Sequence, residues 1–280
     1  MRRGSYAGGS GASVEVGPPP ADFLDAMWRY LRGAAVVAEI EMRKLRHDPT
    51  EIFTRAVQPV LWLVVFGQAI SHLRAIPTGH VDYLTFMAPG ILAQSLMFIS
   101  IFYGLTIIWD RDQGILQKLL VMPVPRASFV TGKGLGAGVR ATSQAVVIFI
   151  IALVLGVKIH WSVPGVAGTL AAVVVGASLF STISMLVAIV LKTRERFMGF
   201  GQVITMPLFF ASNAIYPIGM MPGWLKALAT INPLSYLVDL LRGYLVSGRV
   251  PGAATDWAVL LGALVLAQVV AARTYRRILV

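Results

Sequence analysis

Six long apolar stretches dominate this chain and decide what it can fold into. They cover residues 52–70, 83–108, 137–157, 164–191, 197–218 and 255–272. A bilayer-spanning helix needs about 20 predominantly apolar residues. Apolar side chains make up 56% of the 280 residues and charged ones only 13%, against about 25% charged in a soluble domain. Too little polar surface is left to enclose a water-soluble core. The pattern predicts an all-α membrane protein of six transmembrane helices, residues 52–272. Spans 2 and 4 are long enough to be tilted or broken, and Pro89-Gly90 and Pro207 are places where a helix can kink.

The flanks are different in kind. Residues 1–21 are rich in Gly, Ser and Ala and close on Pro18-Pro19-Pro20. They read as a disordered tail, with no apolar core behind Arg2 and Arg3 to make a secretory signal. Residues 273–280 form a short basic tail. The net charge of +11 does not point to nucleic acid, because the basic residues sit in clumps between apolar runs. Assigned to alternating sides, 19 of the 24 Lys and Arg residues fall on one side and five on the other. By the positive-inside rule the richer side is cytoplasmic. Both termini are then inside a multi-pass protein of the cell membrane.

Residues 224–246 are apolar enough to suggest a seventh span. Pro233, Asp239 and Arg242 argue against it, since one charge at the bilayer centre costs at least about 2.5 kcal/mol. This segment is expected on the external face, as a re-entrant element between spans 5 and 6.

The spans lack central ionisable residues of the kind that ion-coupled carriers need. HExxH and GxSxG are absent, and His47, His72, His80 and His160 fall in loops and at span edges with no metal-like spacing. Gly132-Lys133-Gly134 shares two letters with a phosphate-binding loop but lacks the Ser or Thr that must follow the lysine. The chain therefore has no ATP site of its own by that route and no catalytic or metal site.

Two further elements carry information. Across residues 22–51, Phe23, Met27, Tyr30 or Leu31, Ala34 and Val37 or Ala38 recur at helical spacing. An apolar stripe beside basic residues, just before a span, predicts an interfacial helix in contact with lipid. The same stripe also suits packing on the chain's own cytoplasmic loops. Between spans 2 and 3, Ile115, Leu116, Leu119 and Leu120 make one apolar face of a short helix that Met122-Pro123-Val124-Pro125 ends. That face fits a partner's groove or the chain's own bundle.

Together these segments resemble the permease subunits of type-2 ABC exporters, in the drug- and antibiotic-resistance branch. The resemblance rests on Arg46-His47-Asp48-Pro49 before span 1 and on Asp110-Arg111-Asp112-Gln113-Gly114-Ile115-Leu116-Gln117. It rests also on Met122-Pro123-Val124-Pro125-Arg126, Pro217, Met221-Pro222-Gly223-Trp224-Leu225, Asn232-Pro233-Leu234-Ser235-Tyr236 and Asp239-Leu240-Leu241-Arg242. Ile115 and Gln117 depart from the family's usual Thr and Glu.

The resemblance implies a translocation pathway between two permease subunits, identical or homologous. Two ABC ATPase subunits would carry the ATP and Mg and engage the cytoplasmic loops. Asp110, Arg111, Gly114, Ile115, Leu116, Leu119 and Leu120 would form the coupling loop. Pro217, Pro222, Trp224, Asn232, Pro233, Tyr236, Asp239 and Arg242 would form an external lid, with Asn232 capping its second helix. Pathway-lining candidates are Phe86, Met87, Phe98, Phe102, Met206, Phe209, Phe210 and Asn213, an apolar, adaptable set. They favour efflux of a lipophilic or amphiphilic drug, natural product or lipid. Glycolipid or polysaccharide export is the alternative within the family, and a non-transporting membrane scaffold the alternative outside it.

Overall fold

The computed structural model describes residues 23–47, 50–73, 81–114, 126–191 and 193–274, and no strand occurs among them. The helices are α1 (Phe23–His47), α2 (Thr50–Leu61), α3 (Gln68–Leu73), α4 (Tyr83–Tyr103), α5 (Thr106–Asp112) and α6 (Arg126–Val154). They continue with α7 (Val163–Leu191), α8 (Arg194–Phe210), α9 (Gly223–Ile231), α10 (Pro233–Arg242) and α11 (Ala253–Thr274). A wider π-helical stretch, Trp62–Gly67, joins α2 to α3 without a break.

Four helical segments are long and apolar enough to cross a membrane: Tyr83–Asp112, Ala127–Val154, Val163–Leu191 and Ala253–Thr274. The other two predicted stretches are helical but shorter. Ala56–Ser71 is the apolar part of the α2–α3 run, and α8 has 17 residues. The stretch predicted at 197–218 thus stops early. After Phe210 the backbone turns, with Ala211 N–H donating to Pro207 O and the Ser212 hydroxyl to Phe209 O.

The core lies around α4, which is buried along nearly its whole length against α6, α7 and α10. Met87, Ile91, Leu96, Leu179, Leu237 and Leu241 are at its centre. Pro89 sits within α4 without ending it, and the chain turns instead at Gly104-Leu105. The outer helices bury much less: Val154, Val163 and Val190 are each at least 75% exposed. In water such faces would aggregate, whereas in a bilayer they meet hydrocarbon.

The topology sorts the connections to two ends of the bundle. At one end lie α1, α5, the starts of α6 and α8, and the end of α11, linked by Tyr30–Thr131, Thr131–Gln268 and Arg194–Asp112 hydrogen bonds. At the other lie residues 81–82, 155–162 and 211–252, linked by Tyr83–Ile215 and His160–Leu245.

α6 begins at Arg126, eleven residues before the predicted span. Lys133 therefore lies within a helix rather than in the loop before the predicted span, on the same helix as Arg140.

Candidate functional site

At the first end, α1, α5 and α6 converge on a buried set of charges. Lys133 Nζ donates to Asp110 Oδ2 at 2.6 Å and to Glu41 Oε1 at 2.8 Å. A longer bond reaches Thr106 Oγ1 at 3.4 Å. Arg140 Nη2 lies 3.6 Å from Glu41 Oε2, and its guanidinium is 5.0 Å from the centre of the Tyr103 ring. All four charged side chains are less than 10% exposed. Among the described residues two cations face two carboxylates, and such pairing is what makes charge in a low-dielectric interior tolerable.

Glycines let α1 approach closely enough. A Cβ on Gly132 would sit 2.6 Å from Val37 Cβ, and one on Gly136 would sit 2.8 Å from Glu41 Cβ. Small residues one turn apart are how membrane helices come into backbone contact. The face of α1 that packs is thus Tyr30, Ala34, Val37 and Glu41. Met27, Trp28, Leu31 and Ile40 of the same helix remain exposed. The helix packs on its own chain along one face, and an apolar side is left exposed.

Of the predicted coupling loop, Asp110, Arg111 and Gly114 are described. Asp110 belongs to the charged cluster. Arg111 pairs with Asp112 at 3.2 Å, and Asp112 in turn accepts from Arg194 of α8 at 2.9 Å. Gly114 ends the helix with a left-handed φ of +68°, a conformation that costs glycine little. Ile115, Leu116, Leu119 and Leu120 lie outside the described residues.

At the second end, Pro217 leads into a short 3-10 turn, Ile218–Met220. Pro222 precedes α9, and Pro233 occupies the first turn of α10. Asn232 caps α10 as expected, its Oδ1 accepting from Leu234 N–H at 3.0 Å. Its Nδ2 also donates to Leu208 O at 2.6 Å and Ala211 O at 2.9 Å. One side chain thus ties the start of α10 to the end of α8. Tyr236 OH donates to Thr230 O at 2.6 Å.

The pair Asp239 and Arg242 belongs to a wider network. The two charges are 3.7 Å apart. Asn213 Nδ2 donates to Asp239 Oδ1 at 2.6 Å, and Arg242 Nη2 donates to Asn213 O at 2.8 Å. The Arg242 guanidinium lies 3.9 Å from the centre of the Phe86 ring, close enough for a cation–π attraction. Trp224 is 68% exposed on the outward side of α9.

The eight pathway candidates do not share one surface. Met87 and Phe209 are fully buried, Phe209 packing 5.8 Å from Trp62. Asn213 is buried and Phe86 half-buried in the Arg242 network. Phe210 is exposed and Met206 half-buried. Phe98 and Phe102 line a cavity of about 260 Å³ between α2, α4 and α6. Gln94 and Gln144, which also line it, were not singled out by sequence reasoning. Their only sequence signal is an amide inside an otherwise apolar stretch.

An apolar helical bundle with a charged cluster at one end and a proline-broken helical segment at the other has the architecture of a multi-pass membrane protein. The chain belongs to the ABC-2 type transporter family, which matches residues 34–246. It is similar to the daunorubicin resistance ABC transporter permease protein DrrB1 of Streptomyces coeruleorubidus, at 26% identity over 78% of this chain and 78% of that one. It is also similar to the ycf38 protein of Cyanophora paradoxa, at 29% identity over 71% and 69% of the two chains. Nodulation protein J of Rhizobium leguminosarum bv. viciae is 24% identical over 68% and 73%. The protein is therefore an ABC-transporter permease by family, with drug-resistance permeases among its relatives.

Proposed function

We propose that this chain is the permease subunit of an ATP-driven exporter and carries a lipophilic or amphiphilic substrate across the cell membrane. Two permease subunits and two separate ATPase subunits, which hold the ATP and Mg, make the working transporter. In this reading all six apolar stretches span the bilayer, the shorter two included, and both termini are cytoplasmic. Residues 1–21 and 273–280 are tails, and residues 22–51 lie along the inner membrane surface. Residues 110–120 enter a groove of the ATPase. Residues 217–242 form the external lid over the pathway.

The observation that carries the reading is the cluster of Lys133, Glu41 and Asp110. It clamps the N-terminal helix and α6 to the helix that leads into the proposed coupling loop. A push on that loop then moves three helices together rather than bending one.

Co-purification from the native membrane with an ATP-binding subunit tests the proposal. Leu116→Asp is expected to abolish that association while leaving insertion unchanged, because an unpaired carboxylate is costly to bury in an apolar groove. Recovery of no ATPase with the parent protein would overturn the exporter reading. Undiminished association of Leu116→Asp would overturn the assignment of the loop.

Orientation has its own test, made clean by the absence of cysteine. Gly248 is a poor reporter position, because its φ is +66° and a Cβ there would meet His160 at 2.7 Å. Gly134 is buried against Ser178. Arg249 and Thr193 are exposed instead. Arg249→Cys is expected to react with an impermeant maleimide from outside intact cells, and Thr193→Cys only after the cells are opened. The opposite pattern would invert the proposed topology.

A further inference from the structure

Gln94 of α4 and Gln144 of α6 are 2% and 1% exposed, and neither amide has a hydrogen-bond partner among the described residues. Each carries two N–H donors and a carbonyl oxygen. Both side chains line the 260 Å³ cavity, which Gln58 and Ser95 also reach. Phe98 and Phe102 form its aromatic wall, their rings 6.3 Å apart and only 25° from parallel. Both glutamines lie well inside their helices, at membrane depth, where water is scarce and an unmet amide is costly. Polar groups at such a depth are costly and mark pathways and binding sites when no helix–helix bond satisfies them.

The chemistry of the lining narrows the ligand. Among the described residues no ionisable side chain lines this cavity, so none of them offers a charged head a counter-ion. The buried ions Lys133, Arg140, Glu41 and Asp110 are paired with one another. Unpaired amides offer both donors and acceptors, which suits a ligand that itself donates and accepts. The volume is just below the 300–1,000 Å³ typical of whole small-molecule sites, so it takes one ring-sized head and not an entire large amphiphile. Beside it runs an open trough that shares Thr54 and Gln58 with the cavity and is otherwise lined by Val57, Leu61, Trp62, Val65 and Phe66. That trough provides for an apolar body attached to the head.

We infer that this cavity is a binding site within a single subunit for an uncharged amphiphile, its hydroxyl- or amide-bearing ring held by Gln94 and Gln144 against Phe98 and Phe102. The inference deepens the exporter reading and rests on it for the role of the bound molecule. Its test does not depend on transport or on the ATPase.

The full-length protein in lipid nanodiscs is titrated with tritiated octyl glucoside below its micellar concentration, with empty discs subtracted. Saturable binding is expected, at least tenfold tighter than that of octanol, octyl sulfate or free glucose. The glucose arm separates recognition of a free ring from recognition of a ring carried on an apolar body. Gln94→Leu and Gln144→Leu are each expected to weaken binding at least tenfold. Their unfolding temperatures should be unchanged or higher than the parent's, because each removes an unmet amide. Lost binding with preserved stability separates a binding role from a structural one. Binding of octyl sulfate as tight as that of octyl glucoside would overturn the inference, as would no saturable binding or glutamine variants that bind like the parent. None of these results bears on whether an ATPase co-purifies, so the exporter reading stands or falls separately.

Discussion

Lys133→Met is expected to lower the unfolding midpoint of the purified protein by roughly 10 °C, from a stability loss of about 3–5 kcal/mol for stranding buried carboxylates. Methionine nearly matches the length of the lysine stem, so the loss is electrostatic rather than a cavity effect. Without the ammonium group, Glu41 and Asp110 lose the cation they share, and the next cation among the described residues is Arg140, 3.6 Å from Glu41. Adding Asp110→Leu removes one stranded charge and is expected to restore at least half of the loss. That recovery is the more telling measurement, because a general packing defect would worsen with a second substitution. A single variant within about 1 kcal/mol of the parent would show the cluster to be solvated and weak, as surface ion pairs are.

Gly90→Ala is expected to be the most damaging methyl group that can be added to α4. A Cβ at Gly90 would run into the backbone carbonyl of Ala214. Backbone against backbone leaves no rotamer to change, so α4 and the turn after α8 must separate. Overpacking of this kind costs about 1–3 kcal/mol and occasionally more. The upper end applies here, since Asn213 and Arg242 hold that turn in place on its other side. Thermal unfolding measures the cost, and faster proteolysis between α8 and α9 would show that the turn has lifted. Gly262→Ala is the matched control. A Cβ there meets nothing within 4 Å, and alanine in a helix is favoured over glycine by about 0.5–1 kcal/mol. Equal behaviour of the two variants would dismiss the close approach of α4 to the turn.

Much of the fold was legible because hydropathy is a local property. Each apolar stretch is largely helical, with bounds close to those predicted for 164–191 and 255–272, and Asn232-Pro233 marked a cap and a helix start through chemistry confined to three residues. The end of α8 was less visible, since residues 211–218 are as apolar as the helix before them. The turn there depends on the bonds of Asn232 and Arg242, more than twenty residues away in the chain.

The charged cluster was hidden for the same reason. Asp110 and Arg140 looked like span edges and Lys133 like a fragment of a broken phosphate loop, because Glu41 lies 92 positions from its partner Lys133. Periodicity gave α1 a stripe through Phe23, Met27, Tyr30 or Leu31, Ala34 and Val37 or Ala38, which straddles two faces. The face that packs runs through Tyr30, Ala34, Val37 and Glu41 and hides a charge that a hydropathy reading assigns to solvent. Gln94 and Gln144 were masked by the apolar residues around them. Of the eight aromatic, methionine and asparagine candidates, composition could not separate Phe98 and Phe102 at a cavity from Met87 and Phe209 in the core.

The separation of Glu41 from Lys133 also sets an order of events during synthesis. The N-terminal helix leaves the ribosome first, but the ammonium group that neutralises it follows 92 residues later. At about 5–20 residues per second that is a wait of roughly 5–18 s. Through it α1 must be kept from aggregating with Glu41 unmatched. The side of α1 that bears Trp28 and Leu31 is exposed even in the finished bundle, so α1 carries uncovered apolar surface both before and after α6 arrives. Seating of α1 then waits for α6 to emerge, and a chain truncated before residue 133 would carry that helix without its anchor.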